Sequence, residues 1–323
     1  MRIAFYGTPD FAVETLRAIL EAGYTIAAVI TAPDKPAGRG KKISYSPVKN
    51  YALQHDLPLM QPKNLKDSQF TEELRRRKVD LQVVVAFRML PETVWSLPPK
   101  GTFNIHASLL PQYRGAAPIN HAIINGEKKT GVTSFFITKD IDTGSIISYK
   151  ETKIGERETA GELHDRLMVL GARLAIETIE LIARESYQLK SQKDLIRPGE
   201  PLKKAPKIFK ENCRIDWRKN AKDIYNFIRG LSPYPAAFTE FIDNEGNTRL
   251  IKVYKSDLIF KFNEYDICEI ITDSKSYLWI AVKDGFISIT DLQQNGKKRM
   301  AIGTFLRGVK ITPDWRLKCQ SFQ

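Results

Sequence analysis

Leu81-Gln82-Val83-Val84-Val85-Ala86-Phe87 is apolar at nearly every position. A strand with one wet face alternates apolar and polar residues, whereas one covered on both faces is apolar throughout. The run therefore reads as a strand inside a sheet layered between helices. Three other stretches fit beside it: Arg2-Ile3-Ala4-Phe5-Tyr6-Gly7, Tyr24 to Thr31, and Thr102 to His106. Helical patterns separate most of them. After the first strand, Thr8 is expected as an N-cap and Pro9 as the first helical residue. Ala12, Leu16, Ile19 and Leu20 then give that helix one apolar face, and Gly23 ends it.

Alternation of strand and helix predicts a Rossmann-like, doubly wound, mostly parallel sheet. A long helix is expected within residues 159–186, where Leu163, Leu167, Leu170 and Leu174 keep helical spacing and Leu181 falls on the same face. Residues 187–206 hold Ser191, Pro198, Gly199, Pro201 and four lysines, and read as a linker. Beyond them the pattern changes. A helix near Ala221–Arg229 is followed by short apolar segments at Leu250–Tyr254, Tyr277–Val282 and Phe286–Ile289, divided by turn residues. That pattern predicts a smaller OB-like β-barrel. The expected division is residues 1–186, a linker at 187–206, and residues 207–323.

A chain of 323 residues suits two domains rather than one core. No stretch approaches the roughly 20 consecutive apolar residues that span a bilayer. Ile3-Ala4-Phe5 is too short for the core of a secretory signal, so a cytoplasmic location is expected. Cys213, Cys268 and Cys319 lie far apart and are odd in number, which suits reduced thiols rather than a disulfide framework or a metal site. The net charge is +13. Residues 207–323 carry 20 basic and 14 acidic side chains, against 30 and 23 in residues 1–206, so positive charge is denser in the shorter part. Such a surface attracts polyanions at long range.

In open α/β sheets ligands bind outside the carboxyl ends of the strands. Asn104 and His106 stand at one such end, and residues i and i+2 of a strand share a face. An amide and an imidazole side by side can hold an oxyanion and manage a proton. Asp142, in Asp140-Ile141-Asp142-Thr143-Gly144, is placed to orient the imidazole. This set suits acyl transfer. Ser108 lacks the G-x-S-x-G elbow of a serine nucleophile. Gly7-Thr8-Pro9-Asp10-Phe11 is not G-x-G-x-x-G, so no dinucleotide is indicated. No His/Cys/Asp cluster has zinc spacing, so no metal is expected.

Pro33 to Lys49 forms a basic stretch with five positive residues and one acid, whose prolines and glycines argue against a regular helix or central strand. It follows a parallel strand, so it should stand beside the ligand crevice. Its Arg and Lys side chains suit phosphates in a nucleic-acid groove. Arg75-Arg76-Arg77-Lys78 reads as a helix end, where cations suit the dipole.

Over essentially its whole length the chain resembles the methionyl-tRNA formyltransferase family. The resemblance runs through Gly7–Phe11, Pro33–Lys42, Asn104–Pro111, Tyr113-Arg114-Gly115-Ala116-Ala117-Pro118, Asp140–Gly144 and Arg214-Ile215-Asp216-Trp217. The Asn104, His106, Ser108-Leu109-Leu110-Pro111 and Asp142 set is shared by folate-dependent formyltransferases at large. It therefore bears on chemistry more than on acceptor. The resemblance implies 10-formyltetrahydrofolate as donor and the amine of methionine on initiator methionyl-tRNA as acceptor. It implies that Asn104, His106 and Asp142 are catalytic. Folate is implied against Phe87-Arg88-Met89-Leu90-Pro91, Ser108, Leu109, Leu110, Pro111, Asp140 and Ile141. Family members often carry Tyr-Gly where this chain has Phe87-Arg88, which leaves the Arg88 side chain open. Arg114 is open too, between the folate tail and the tRNA end. His106 can act as base or as oxyanion donor. For tRNA, the resemblance implies that the Pro33–Lys49 stretch enters the acceptor stem, with Arg39, Lys41 and Lys42 as candidates; Lys207, Lys210, Arg214, Lys297 and Lys298 are the candidates for a C-terminal track that also includes Arg299. A monomer, with no membrane association, is expected.

Two other readings stand beside this one. Amino-sugar and purine-precursor formyltransferases share the chemistry, but the purine enzymes resemble only the first domain, and the amino-sugar enzymes should not need the basic loop. A non-catalytic RNA binder would leave Asn104, His106 and Asp142 without purpose.

Overall fold

The computed structural model describes residues 1–37, 42–261 and 264–318. The chain divides into two compact units. One comprises Met1–Pro118, Lys129–Lys153 and His164–Ala205; the other comprises Ile119–Lys128, Ile154–Leu163 and Pro206–Gln323.

The first unit is built on a seven-stranded sheet. From one edge the order is Ile146–Lys153, Lys129–Phe136, Thr102–His106, Leu81–Val85, Arg2–Gly7, Thr25–Ile30 and Leu59–Met60. The last five run parallel, as buried apolar strands should. The first two are antiparallel additions. Leu81–Val85 is buried at every position. Strand order reverses between Arg2–Gly7 and Leu81–Val85, the switch point where open α/β sheets leave a crevice. Gly7 is required there, because a Cβ on it would stand 2.5 Å from the Ala12 Cβ.

Local chemistry shifts two expected boundaries. The first helix runs Asp10–Glu21 with Pro9, not Thr8, at the N-cap. Pro9 is extended, and Asp10 places a negative charge in the first turn, where the dipole favours it. A helix, Pro47–Gln54, also starts inside the basic stretch, against the expectation of no helix. Pro47 is harmless at its first position, where an N–H would be unbonded anyway, and the Ser46 hydroxyl accepts from the Lys49 N–H at 3.0 Å. Lys35–Ala37 and Lys42–Ser44 pair antiparallel, outside the main sheet.

The long helix is Ala160–Ala183, with Leu163, Leu167 and Leu174 buried as their spacing predicts. Residues 187–205 are ordered by specific bonds. Lys190 exchanges both backbone hydrogen bonds with Ile146, Gln192–Leu195 forms a 3-10 turn, and Lys204–Ala205 pairs in parallel with Arg114–Gly115.

The second unit holds an antiparallel, nearly closed barrel, ordered Ile270–Thr272, Leu278–Val282, Gly285–Gln294, Thr248–Ile259, Ala237–Ile242 and Arg316–Leu317. The helix Ala221–Leu231 adds Ile224, Ile228 and Leu231 to its core, beside Trp217, Phe241 and Ile287. The Trp217 indole N–H is satisfied by the Thr239 hydroxyl at 3.0 Å. Cys213 is a free, buried thiol. Cys319 lies outside the described residues. Among the described residues no helix is long and apolar enough to cross a membrane.

Candidate active site

The strand Thr102–His106 starts after Gly101, which has φ +85. It ends in an abrupt turn at Ser108-Leu109-Leu110-Pro111. Thr133, on the adjacent antiparallel strand, fixes this turn. Its hydroxyl donates to the Ser108 carbonyl at 2.7 Å and accepts from the Leu110 N–H at 3.2 Å. The Ser108 hydroxyl is buried and donates to the Gln112 carbonyl at 2.7 Å, so it is no free nucleophile. Leu110 packs with Phe135 and Ile146 beneath the turn.

Asn104 is half-buried, and its side-chain amide has no hydrogen-bond partner among the described residues. A half-buried amide without a protein partner is ready to donate to a bound oxygen. His106 is buried, with its Nε2 2.9 Å from the Tyr113 carbonyl. A carbonyl only accepts, so Nε2 carries the proton. Nδ1 then holds the lone pair and lies 3.9 Å from Asp142 Oδ2. That separation exceeds a hydrogen bond.

Asp142 arrives by an indirect route. The strand Lys129–Phe136 is antiparallel, and its last residue pairs with Phe103 at the far end of the Asn104 strand. The turn after it must fold back to bring Asp142 to His106. Gly144 permits this, since a Cβ there would lie 1.6 Å from the Phe136 carbonyl oxygen. Asp142 itself has φ +55, the left-handed region. Such a residue persists only where its surroundings fix it. The Gly115 N–H donates to its Oδ2 at 2.9 Å.

Gly115 has φ +124, and a Cβ on it would lie 2.4 Å from the Ala205 carbonyl. Arg114 is half-buried, and its Nε donates to the Gln192 Oε1 at 3.0 Å. Burial lowers the Arg114 pKa, against the opposing pull of Asp142. Its guanidinium is thus committed within the protein, which answers neither of the two roles left open for it in the sequence.

The other expected folate residues follow the Leu81–Val85 strand and the Phe136 end. Phe87 is half-buried and meets Tyr6 edge-on at 5.6 Å, while Leu90 is buried in the core. Arg88 donates to the Lys63 carbonyl at 3.0 Å and to the Pro62 carbonyl, tying two loops together. Met89 and Ile141 are 70% and 63% exposed, large apolar side chains with little protein cover. Asp140 is exposed, and its carbonyl accepts from the Thr143 hydroxyl at 3.0 Å.

Of the basic candidates, Arg39 and Lys41 lie outside the described residues, as does the side chain of Lys42. Lys49 in the same stretch is committed: its ammonium bonds Asp34 at 2.5 Å and lies over the Tyr45 ring. In the second unit Lys207, Lys210, Lys297 and Lys298 are exposed. Arg214 instead pairs with Glu240 at 2.9 Å, and Arg299 with Asp291 at 2.7 Å. Among the described residues no group of three or more His, Cys, Asp or Glu could hold a metal.

Sequence reasoning missed Thr133 and Gln192, because their partners are remote in the chain and neither residue type is distinctive. It noted Gly115 only as part of a motif.

Residues 1–179 match the family model described as formyl transferase, and residues 207–310 match formyl transferase, C-terminal domain. This chain belongs to the formyl transferase family. Curated relatives are similar from end to end. The methionyl-tRNA formyltransferase of Bacteroides thetaiotaomicron is 51% identical over 317 residues, 98% of each chain. That of Parabacteroides distasonis is 52% identical over 96% of each chain. That of Flavobacterium johnsoniae is 50% identical over 97% of this chain and 98% of its own. Solved structures share the fold at lower identity. A sugar 3N-formyl transferase crystallised in the presence of dTDP and 5-N-formyl-THF has a TM-score of 0.63 at 23% identity, covering 92% of this chain and 99% of that one. HypX from Aquifex aeolicus has a TM-score of 0.61 at 18% identity, covering 97% of this chain and 50% of that one.

Proposed function

We propose that this chain transfers the formyl group of 10-formyltetrahydrofolate to the amine of methionine on initiator methionyl-tRNA. The observation that carries this reading is identity near 50% across both domains to relatives named for that activity. The likeness to sugar formyl transferases is one of fold, at 23% identity. We further propose the division into a catalytic domain at 1–186, a linking segment at 187–206 and a tRNA-binding domain at 207–323, acting as a monomer in the cytoplasm.

The folate supplies a formyl group on a nitrogen that can leave. Met89 and Ile141, exposed and apolar, suit the faces of its flat ring system. Asn104 donates to the formyl oxygen, which gains negative charge as the amine adds to the carbon. His106 accepts the proton that the attacking amine loses. Its Nδ1 holds a lone pair because Nε2–H is held by Tyr113, so the base role suits it better than oxyanion donation. Asp142 stabilises the resulting imidazolium across a gap of 3.9 Å, which a small shift closes. Nδ1–H then returns the proton to the departing folate nitrogen, whose bond to the formyl carbon breaks with both electrons. The proton taken from one nitrogen is delivered to the other. For tRNA, Arg39, Lys41 and Lys42 are the candidates at the acceptor stem. Exposed Lys207, Lys210, Lys297 and Lys298 are the stronger C-terminal candidates, and Arg214 the weaker because it is ion-paired.

The test is formyl transfer to initiator and elongator methionyl-tRNA by the purified chain. Labelled methionine amine on the initiator alone supports the reading. Folate binding without transfer to either would redirect it to another amine.

A further inference from the structure

We infer that Gln192 is a positioning residue for Asp142, and that the segment 187–205 is a strap that sets the geometry around His106. The inference rests on the formyl-transfer reading above. Gln192 is 2% exposed in a stretch whose neighbours Ser191, Lys193, Asp194 and Leu195 are all exposed. Its amide is fully engaged. Nε2 donates to the carbonyls of Asp142 at 2.9 Å and Gly144 at 2.8 Å. Oε1 accepts from the Arg114 guanidinium at 3.0 and 2.6 Å. One side chain therefore joins the turn that carries Asp142 to the strand that carries Gly115, whose N–H holds the Asp142 carboxylate.

The strap reaches the other side of His106 as well. The Tyr113 N–H donates to the Lys203 carbonyl at 2.7 Å, and the Ala117 N–H to the Ala205 carbonyl at 3.1 Å. Tyr113 supplies the carbonyl that fixes the His106 tautomer. Both groups that face the imidazole are thus fastened to one segment. Asp142 has φ +55, a conformation that a non-glycine residue holds only when the surroundings over-determine it. The two bonds from Gln192 Nε2 hold the turn from that residue onward, at its own carbonyl and at that of Gly144.

The test uses the isosteric Gln192→Glu in the full chain. It keeps an acceptor for Arg114 but sets a carboxylate oxygen against two carbonyls. Formyl transfer should show a kcat lower by about 10- to 100-fold, with KM for folate within about threefold, because misplacing a reacting group by about 1 Å costs that order of rate. Asp142→Asn supplies the second arm. If Gln192 acts through Asp142, Gln192→Glu adds little to the loss already caused by Asp142→Asn. Hydrogen–deuterium exchange of residues 140–144 gives a readout independent of activity, with faster exchange expected in Gln192→Glu. Unchanged kcat, equal rate losses with and without Asp142, or unchanged exchange would each overturn the inference. Wild-type protein run alongside separates this from failure of the functional reading, which would appear as no transfer in any arm while the exchange result still stands.

Discussion

The Nε2 proton of His106 is given to the carbonyl of Tyr113 at 2.9 Å, so the nitrogen that faces Asp142 is Nδ1. This one bond sorts the roles at the crevice. An imidazole whose Nδ1 is unprotonated takes a proton before it gives one. In the proposed mechanism the oxyanion is then left to Asn104, whose amide has no partner among the described residues.

Asn104→Ala, His106→Ala and Asp142→Asn should each lower kcat by about 100-fold or more, the scale of losing an oxyanion donor or a general base. Affinity for initiator tRNA should stay within about threefold, because none of the three is a phosphate contact. Single-turnover rates and filter binding on the same preparations check this. A folded variant with normal turnover would remove that residue from the mechanism.

Gly144→Ala should destabilise the chain by about 3 kcal/mol, the upper end of what single substitutions ordinarily cost. The added Cβ would lie 1.6 Å from the Phe136 carbonyl oxygen, and that backbone cannot move without breaking the Phe136–Ser145 hydrogen bond. Urea unfolding measures it. An unchanged midpoint would mean that the turn carrying Asp142 is held differently.

Arg39→Ala, Lys41→Ala and Lys42→Ala should each weaken tRNA binding and flatten its salt dependence by about one phosphate contact. Lys49→Ala should leave the salt slope unchanged, because its ammonium is paired with Asp34 at 2.5 Å. Titration across a series of salt concentrations separates the two outcomes. Equal slopes in all four variants would take the loop out of phosphate recognition.

Acid should weaken the barrel. The hydrogen bond from Arg214 holds the Glu240 pKa down, and the bonds from the Ser276 hydroxyl and N–H do the same for Asp273. The unfolded chain therefore binds more protons than the folded one as pH falls. This stability is full above the ordinary values of 4.5 and 3.8 and is lost as pH falls through the depressed folded values. The urea midpoint should fall progressively as pH drops below about 5, and fall less in Asp273→Asn. Identical drops would show that this carboxylate does not contribute.

Much of this architecture is legible in the chain because it is local. Leu81–Val85 announces a doubly covered strand by composition, and Thr102–His106 is bounded by Gly101 on one side and a Pro-containing turn on the other. The pairing of Asn104 with His106 follows from strand periodicity. What is not legible depends on long-range contact. Nothing near Gln192 marks it, since its partners lie 48, 50 and 78 residues away. The commitment of Arg114 and Arg88 was hidden for the same reason. The helix inside the basic stretch is hidden because a proline among prolines and glycines reads as a breaker, whereas Pro47, at a first helical position, is a starter.

The measurement that bears most directly on the mechanism is nitrogen-15 NMR of the His106 imidazole in the substrate-free protein, followed through a pH titration. The neutral ring should carry its proton on Nε2 and a free lone pair on Nδ1. A neutral ring protonated on Nδ1 would contradict it, and would return His106 to the role of oxyanion donor.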